Sequence, residues 1–219
     1  YGSEEDMVKA AIDLNMQELG FSEHVPLPFY RLFLLKSLPH TLGSLHSFLS
    51  WCKAFILNGP GMRMPYKKRK EHQKVVQELK QKYKNQITIY QGYECEYFKE
   101  YLDYYQRLLD NQEVDYLILG NHFDETDETG IYFGRPLNKQ QLTKYVESCI
   151  AGIKTGLYSY VAHPDLAFYD TDDPFYTQEM TRLCQAAKEY QMPLEFNLLG
   201  YATHRQYPNE TFFNIAKKV

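Results

Sequence analysis

The sequence predicts an α/β protein with a mostly parallel sheet and helices packed outside it. Two patterns predict this class. Short apolar segments alternate with amphipathic helical segments along the 219 residues, and each apolar segment ends in a histidine, carboxylate or amide. Because strands that alternate with helices are joined by crossover connections, they lie parallel in one sheet. With 44% hydrophobic and 24% charged residues, the composition is that of a globular domain, and we expect one domain over residues 1–219.

The first half of the alternation begins with a helix that Ser3 caps. Acidic residues follow Ser3 in the first turn, and apolar residues then recur at helical spacing as far as Leu14. The next predicted elements are a strand from Glu18 to Phe21, a helix from Tyr66 to Tyr83, a strand from Ile87 to Tyr90, a helix from Tyr97 to Leu109 and a strand from Val114 to Leu119.

The second half of the alternation begins at Asn138, which predicts a helix cap. The predicted elements are a helix from Asn138 to Lys154, a strand from Leu157 to Ala162, a helix from Phe175 to Tyr190, a strand from Pro193 to Phe196 and a last helix beginning near Asn209. Both ends of the chain fall in helical patterns. We therefore expect a part of a longer domain, with further strands before Tyr1 and after Val219.

The segment at about 29–64 is an atypical apolar insert. It is rich in Phe and Leu and is interrupted by Pro and Gly, unlike the polar loop expected between a strand and a helix. One interpretation is a lid over the site or a subunit contact. The other is an extra packed helix or a poorly ordered stretch.

Charge and cysteine content exclude several classes of function. The net charge of −4 provides no global field for nucleic acid, and the basic run at 67–70 is best interpreted as a solvated helix face. No apolar run approaches the roughly 20 residues that span a bilayer. The four cysteines lie far apart, which predicts a reducing, cytoplasmic location. No phosphate-binding loop or nucleophile elbow occurs, so kinase and serine hydrolase functions are excluded.

Polar residues at the ends of the five predicted strands indicate a metal site. Parallel strands bring their carboxyl ends to one face, where β/α barrels build active sites. Nitrogen and oxygen ligands without thiolate suit Zn, Mn or Fe. One histidine at a strand end is more often structural, but the coincidence repeats along the chain. The residues are His24, Glu94 with Glu96, His122, His163 with Asp165, and Glu195 with Asn197.

These segments resemble the polymerase and histidinol phosphatase (PHP) superfamily, and most closely its monofunctional histidinol-phosphatase branch. The resemblance rests on motifs in family order over most of the chain: FSEHVPLP at 21–28, GYE at 92–94, DYLILGNHF at 115–123, VAHPDL at 161–166, EFNLLG at 195–200, then Arg205 and YPN at 207–209. The family's opening HxH motif and closing D-x-H motif are not present.

The resemblance implies a distorted (β/α)7 TIM-like barrel, incomplete in this chain, with up to three divalent ions (Zn, Mn or Fe). It implies metal ligation by His24, Glu94, His122 and His163, with Glu94 as the bridging carboxylate, and it assigns catalysis to the last three. In the family's chemistry, a metal-bound hydroxide attacks the phosphorus of a phosphate monoester.

Further residues have weaker assignments. Arg205 and Arg135 are candidates for binding substrate phosphate, although a loop arginine is more often a solvated surface charge. Asp165, Glu195 and Asn197 are expected to support the ligands, and an N-cap role is an equal alternative for Asp165. Glu96, on the same strand face as Glu94, is interpreted as either a supporting or a surface residue.

The expected function is hydrolysis of L-histidinol phosphate to L-histidinol and phosphate in histidine biosynthesis. The expected partner is a small phosphorylated substrate, without nucleic acid or membrane, and the oligomeric state stays open. Two alternatives stay open as well. One is another phosphoester substrate, or an amidohydrolase-like metal reaction, on the same architecture. The other is a degenerate or truncated PHP domain that binds a partner or metal without turnover.

Overall fold

The computed structural model describes residues 2–28, 64–125 and 130–219. The chain divides into two compact units, one formed by Tyr1–Tyr93 with Gln106–Tyr116 and the other by Glu94–Tyr105 with Leu117–Val219. Of the atypical insert, all but Met64 lies outside the described residues, so both interpretations of it stay predictions. None of the helices in the described ranges is long and apolar enough to span a bilayer.

Three parallel strands form a sheet in the order β1-β2-β3. Two of them extend further in the C-terminal direction than the sequence predicts, because strand pairing continues through polar residues. The strands are β1, Glu18–His24; β2, Thr88–Cys95; and β3, Tyr116–Leu119. His24 therefore ends β1, and Glu94 lies inside β2. The parallel order of the strands confirms the predicted α/β class with a parallel sheet. Closure into a barrel stays a prediction.

The predictions of a fourth and a fifth strand are wrong, because these segments form only isolated bridges. Val161 forms a single parallel bridge with Leu119, and Leu194 forms a single parallel bridge with Val161. The paired stretch is short because the chain turns directly after it, at His163 on one side and at the helix cap Asn197 on the other. Extended backbone at these two positions nevertheless continues the parallel alignment of β3.

The first unit packs two helices around a small apolar core. The helix α1, Glu4–Asp13, begins with a capping box in which the Ser3 hydroxyl accepts from the backbone N–H of Asp6, as the sequence predicts. The helix α2, Arg69–Tyr83, follows one 3-10 turn. Together they bury apolar residues of the helices, of β1, of β2 and of the position directly before β2: Val8, Ala11, Phe21, Val76, Leu79, Tyr83, Ile87 and Ile89.

Glycines in β1 and β2 leave space for one aromatic ring in this unit. A Cβ on Gly92 would lie 2.5 Å from Cζ of Tyr116, and a Cβ on Gly20 would overlap the Tyr116 hydroxyl. That hydroxyl donates to the carbonyl of Phe21, at 3.1 Å. The ring therefore crosses both strands, and only glycine allows its close approach.

The helices after α2 are α3, Leu102–Asp110; α4, Lys139–Lys154; α5, Pro174–Glu189; α6, Leu198–Ala202; and α7, Glu210–Lys218. α4 packs against α5, and α5 packs against α7. Asn138 caps α4, as the sequence predicts, and polar residues also cap α5, α6 and α7: Asp173, Asn197 and Asn209. The last helix begins near Asn209, as predicted, while the short helix α6 was not predicted.

Candidate metal centre

Three of the predicted ligands converge in the second unit. Glu94 is the penultimate residue of β2, His122 lies three residues past β3, and His163 follows the bridge at Val161. Oε1 of Glu94 is 2.8 Å from Nε2 of His163 and 3.6 Å from Nε2 of His122. The two imidazole rings lie 4.7 Å apart, and both are buried. One carboxylate oxygen and two ring nitrogens thus face a common point.

Gly120 makes room for the Glu94 carboxylate. A Cβ at residue 120 would overlap Oε1 of Glu94 and would lie 2.6 Å from its Cγ. The backbone N–H of Gly120 also donates to the carbonyl of Cys95, at 2.9 Å, which fixes the chain directly after β3. The glycine that precedes the Asn-His pair is therefore needed for close packing against the site.

Asn121 anchors the loop that carries His122, a role that the sequence alone did not suggest. Its Oδ1 accepts from the backbone N–H of Tyr97, at 2.7 Å, and its Nδ2 donates to Sγ of Cys149, at 3.3 Å. Burial raises the pKa of the Cys149 thiol to about 12, so this sulfur stays protonated. Asn121 is buried, and its side-chain amide is hydrogen-bonded at both its oxygen and its nitrogen.

His163 has an unusual backbone conformation that neighbouring side chains hold. Its φ is 31°, in the left-handed region that costs a non-glycine residue about 1–3 kcal/mol. Its backbone N–H donates to Oε2 of Glu195, at 2.7 Å. The hydroxyl of Tyr145 donates to the next carbonyl, that of Pro164, at 2.9 Å. These bonds offset the strain and direct the imidazole toward Glu94.

The residues predicted to support the ligands act on the backbone. Nδ2 of Asn197 donates to Oε2 of Glu195, at 3.1 Å, and Oδ1 of Asn197 accepts from the N–H of Gly200 at the start of α6. Asp165 accepts from the backbone N–H of Asn209, at 2.6 Å. Burial raises the pKa of Asp165 to about 6. Asp165 thus binds the cap residue of α7 and is not the cap itself.

The two candidate phosphate-binding arginines are exposed. Nη1 of Arg205 donates to the hydroxyl of Tyr207, at 2.7 Å, and the ring of Tyr207 lies 5.5 Å from that of His163. Burial raises the pKa of Tyr132, and the positive charges of Arg205 and Arg135 act in the opposite direction. Tyr207 is buried and contacts both Arg205 and His163. The sequence identified Tyr207 only as part of a motif, without this role.

His24 is half-buried at the end of β1, in the first unit. Its position at a strand end agrees with the sequence analysis, and its role as a ligand stays a prediction.

The family of this chain follows from a match over most of its length. The model of the PHP domain matches residues 2–198. The chain belongs to the PHP domain family. Comparison of this PHP domain with curated proteins finds no match.

Two solved structures share the fold of this PHP domain at low sequence identity. One, assigned as the histidinol phosphatase HisK of Listeria monocytogenes, is 20% identical, with a TM-score of 0.68 over 98% of this chain and 84% of that one. The other is the histidinol phosphate phosphatase HisK of Lactococcus lactis subsp. lactis Il1403, in complex with zinc, L-histidinol and phosphate. It is 16% identical, with a TM-score of 0.61 over 99% of this chain and 72% of that one.

Proposed function

We propose that this PHP domain is a metal-dependent phosphomonoester hydrolase that converts L-histidinol phosphate to L-histidinol and phosphate, in histidine biosynthesis. The observation that carries the proposal is the convergence of two histidine Nε2 atoms on one oxygen of Glu94. Family membership supports the hydrolase class, and the Lactococcus lactis relative, bound to zinc, L-histidinol and phosphate, supports the substrate. A cytoplasmic location is part of the proposal, supported by the buried side chains of Cys95, Cys149 and Cys184, which are thiols and not disulfides.

The donor set fits a divalent cation of the Zn, Mn or Fe type. Glu94, His122 and His163 offer one carboxylate and two imidazole nitrogens at the edge of a parallel sheet, where burial excludes much of the water. A cation bound by these residues would act as a Lewis acid toward the phosphoryl oxygens. The number of ions, up to three, and the ligand role of His24 are proposed from family resemblance alone.

We propose that Arg205 and Arg135 bind the phosphate of the substrate. A guanidinium carries five N–H donors in a planar fork, so the single bond from Arg205 to Tyr207 leaves donors for phosphate oxygens. That bond also raises the pKa of Arg205 and keeps its charge fixed beside the site. Asp165, Glu195 and Asn197 are proposed to hold the loops that carry His163 and α6.

The test is phosphate release by the protein purified without chelator and supplied in turn with Zn, Mn or Fe. L-histidinol phosphate is compared with a panel of unrelated phosphate monoesters. We expect activity on L-histidinol phosphate, and loss of at least 100-fold in kcat/KM for His122→Ala and for Glu94→Ala. The matched controls are His204→Asn and Glu100→Ala, at exposed positions to which no role in the site is assigned. Asn suits position 204 because its φ is 54°.

Each outcome separates the remaining candidates. Retained activity in both site variants would show that the assigned centre is not the catalytic one. Activity on other monoesters but not on L-histidinol phosphate would leave a PHP phosphoesterase with a different substrate. Tight metal binding without turnover of any monoester would support the non-catalytic alternative.

A further inference from the structure

Glu96 is a buried carboxylate that lies beside His122, at the ring edge directed away from the candidate centre. It lies directly after β2, two residues past Glu94, so the two side chains project to the same side of the strand. Only 1% of Glu96 is exposed, which is rare for a glutamate. Burying a carboxylate is unfavourable unless polar groups around it offset the loss of water.

The two nitrogens of His122 face two different carboxylates. Nε2 lies 3.6 Å from Oε1 of Glu94, and Nδ1 lies 3.5 Å from Oε1 of Glu96. Since Nε2 of His163 also faces Glu94, the Nε2 edge of His122 is the edge that points into the centre. The Nδ1 edge points away from it, toward Glu96.

A neutral imidazole carries its proton on one nitrogen and has a lone pair on the other. A metal binds the nitrogen with the lone pair, so the group that accepts a hydrogen bond from the other nitrogen selects the binding tautomer. A carboxylate at Nδ1 favours the form with the proton there, which leaves the lone pair on Nε2. The distance of 3.5 Å needs to shorten by only a few tenths of an ångström for a normal hydrogen bond.

We propose that Glu96 is a positioning residue that holds His122 in its Nδ1–H tautomer and thereby sets the affinity of the centre for a divalent cation. This inference rests on the proposed function only for the location of the centre. It assigns no bond between Glu96 and the metal. The sequence allows either a supporting role or a surface position for Glu96. Because Glu96 is buried, a surface position is excluded.

The first test is spectroscopic and uses the metal-free wild-type protein. Long-range 1H–15N correlation spectra at pH 8 distinguish the two tautomers of each histidine, and His122→Gln identifies the signals of His122. We expect the proton of His122 on Nδ1 in the wild type, and a mixture of tautomers in Glu96→Ala. An Nε2–H tautomer in the wild type would overturn the proposal, whatever the variants do.

The second test is the dissociation constant for Zn²⁺ alone, measured by competition with a chelator. Loss of such a supporting contact weakens metal binding by about 10- to 100-fold, which is the effect expected for Glu96→Ala. Glu96→Gln keeps an acceptor oxygen in place and is expected to retain most of the affinity. The matched control is Glu179→Gln, because Glu179 is an equally buried carboxylate that pairs with Arg182 in α5.

Affinity of Glu96→Ala within twofold of the wild type would contradict the proposal, as would an equal loss in the Glu179→Gln control. If Glu96→Ala does not fold, Glu96→Gln and the wild-type tautomer still decide the result. The proposed phosphatase function fails independently: wild-type protein that binds Zn²⁺ through His122 without releasing phosphate would refute that function and leave the role of Glu96 intact.

Discussion

At the scale of single residues, the centre depends on backbone positions as much as on ligands. His163 takes a left-handed backbone conformation, and Glu195 and Tyr145 hold its loop by hydrogen bonds from and to the main chain. Gly120 allows the carboxylate of Glu94 to lie against the chain after β3. Glu195, Tyr145 and Gly120 are not themselves proposed ligands, yet their contacts decide where the proposed ligand atoms of His163 and Glu94 lie.

Gly120→Ala is expected to displace the Glu94 carboxylate, because the added Cβ would overlap Oε1 of Glu94. Overpacking at a buried position costs about 1–3 kcal/mol in the free energy of unfolding. We also expect at least a 10-fold loss of Zn²⁺ affinity, since one oxygen donor moves. Denaturant unfolding and chelator competition measure the two effects.

Gly156→Ala is the matched control for that substitution. Gly156 has a φ of 70° with open space around its Cβ position, so alanine there costs about 1–2 kcal/mol through backbone strain alone. We expect unchanged Zn²⁺ affinity in this variant. Equal loss of affinity in both variants would mean that Gly120 acts through stability only.

At the scale of elements, His72 joins two helices and a strand of the first unit. Its Nδ1 lies 3.2 Å from Oε1 of Glu4 in α1, and its Nε2 lies 3.0 Å from Oε2 of Glu23 in β1. The ring also meets that of Phe21 edge-on. Burial favours the neutral form, but Glu23 and Glu4 outweigh it and raise the pKa of His72.

A raised pKa in the folded state makes the contribution of His72 to stability dependent on pH. The folded protein holds the proton more tightly than the unfolded chain, so the contribution is complete below the ordinary pKa of 6.5. It is lost as pH rises through the folded value. We expect wild type to exceed His72→Gln in free energy of unfolding at pH 5.5, with a smaller difference at pH 9. Urea unfolding at both pH values measures this difference in free energy. A difference that stays constant or widens at pH 9 would contradict the assigned ion pairs of His72.

At the scale of the whole molecule, metal binding is expected to stabilise the chain. Zn²⁺ that binds only the folded form adds about 2.7 kcal/mol at a free concentration 100-fold above its Kd. For domains of about 150–250 residues, that energy corresponds to a rise of roughly 5–11 °C in Tm. Calorimetry with and without Zn²⁺ measures the rise, and chelator is expected to reverse it.

The variant His122→Ala serves as the control for the thermal shift. It removes one of the two imidazoles that face Glu94, so Zn²⁺ should no longer raise its Tm. A shift of the same size in His122→Ala would place the stabilising zinc site elsewhere in the chain.

Much of the local structure followed from the sequence because its causes are local. Ser3 and Asn138 cap the helices that their side chains predict, since a cap binds N–H groups two or three residues away. The apolar segments before Glu94 and His122 form strands as expected. The family could also be identified, because its motifs lie in short contiguous segments.

The contacts between distant parts of the chain had no such local cause. The strands predicted near Val161 and Leu194 are single bridges, since pairing depends on how far neighbouring backbone stays parallel and not on β propensity alone. The short helix α6 forms because Asn197 caps it, and no apolar periodicity marks so brief an element.

The sequence by itself determined the α/β class with a parallel sheet and the family, since periodicity and motifs are local properties of a chain. Only the tertiary structure decided that Glu96 is buried against His122, that Gly120 faces Glu94, and that His72 lies between two carboxylates. Each of these depends on groups brought together by folding, and a side chain's burial and electrostatic partners are fixed by packing and not by its neighbours in sequence.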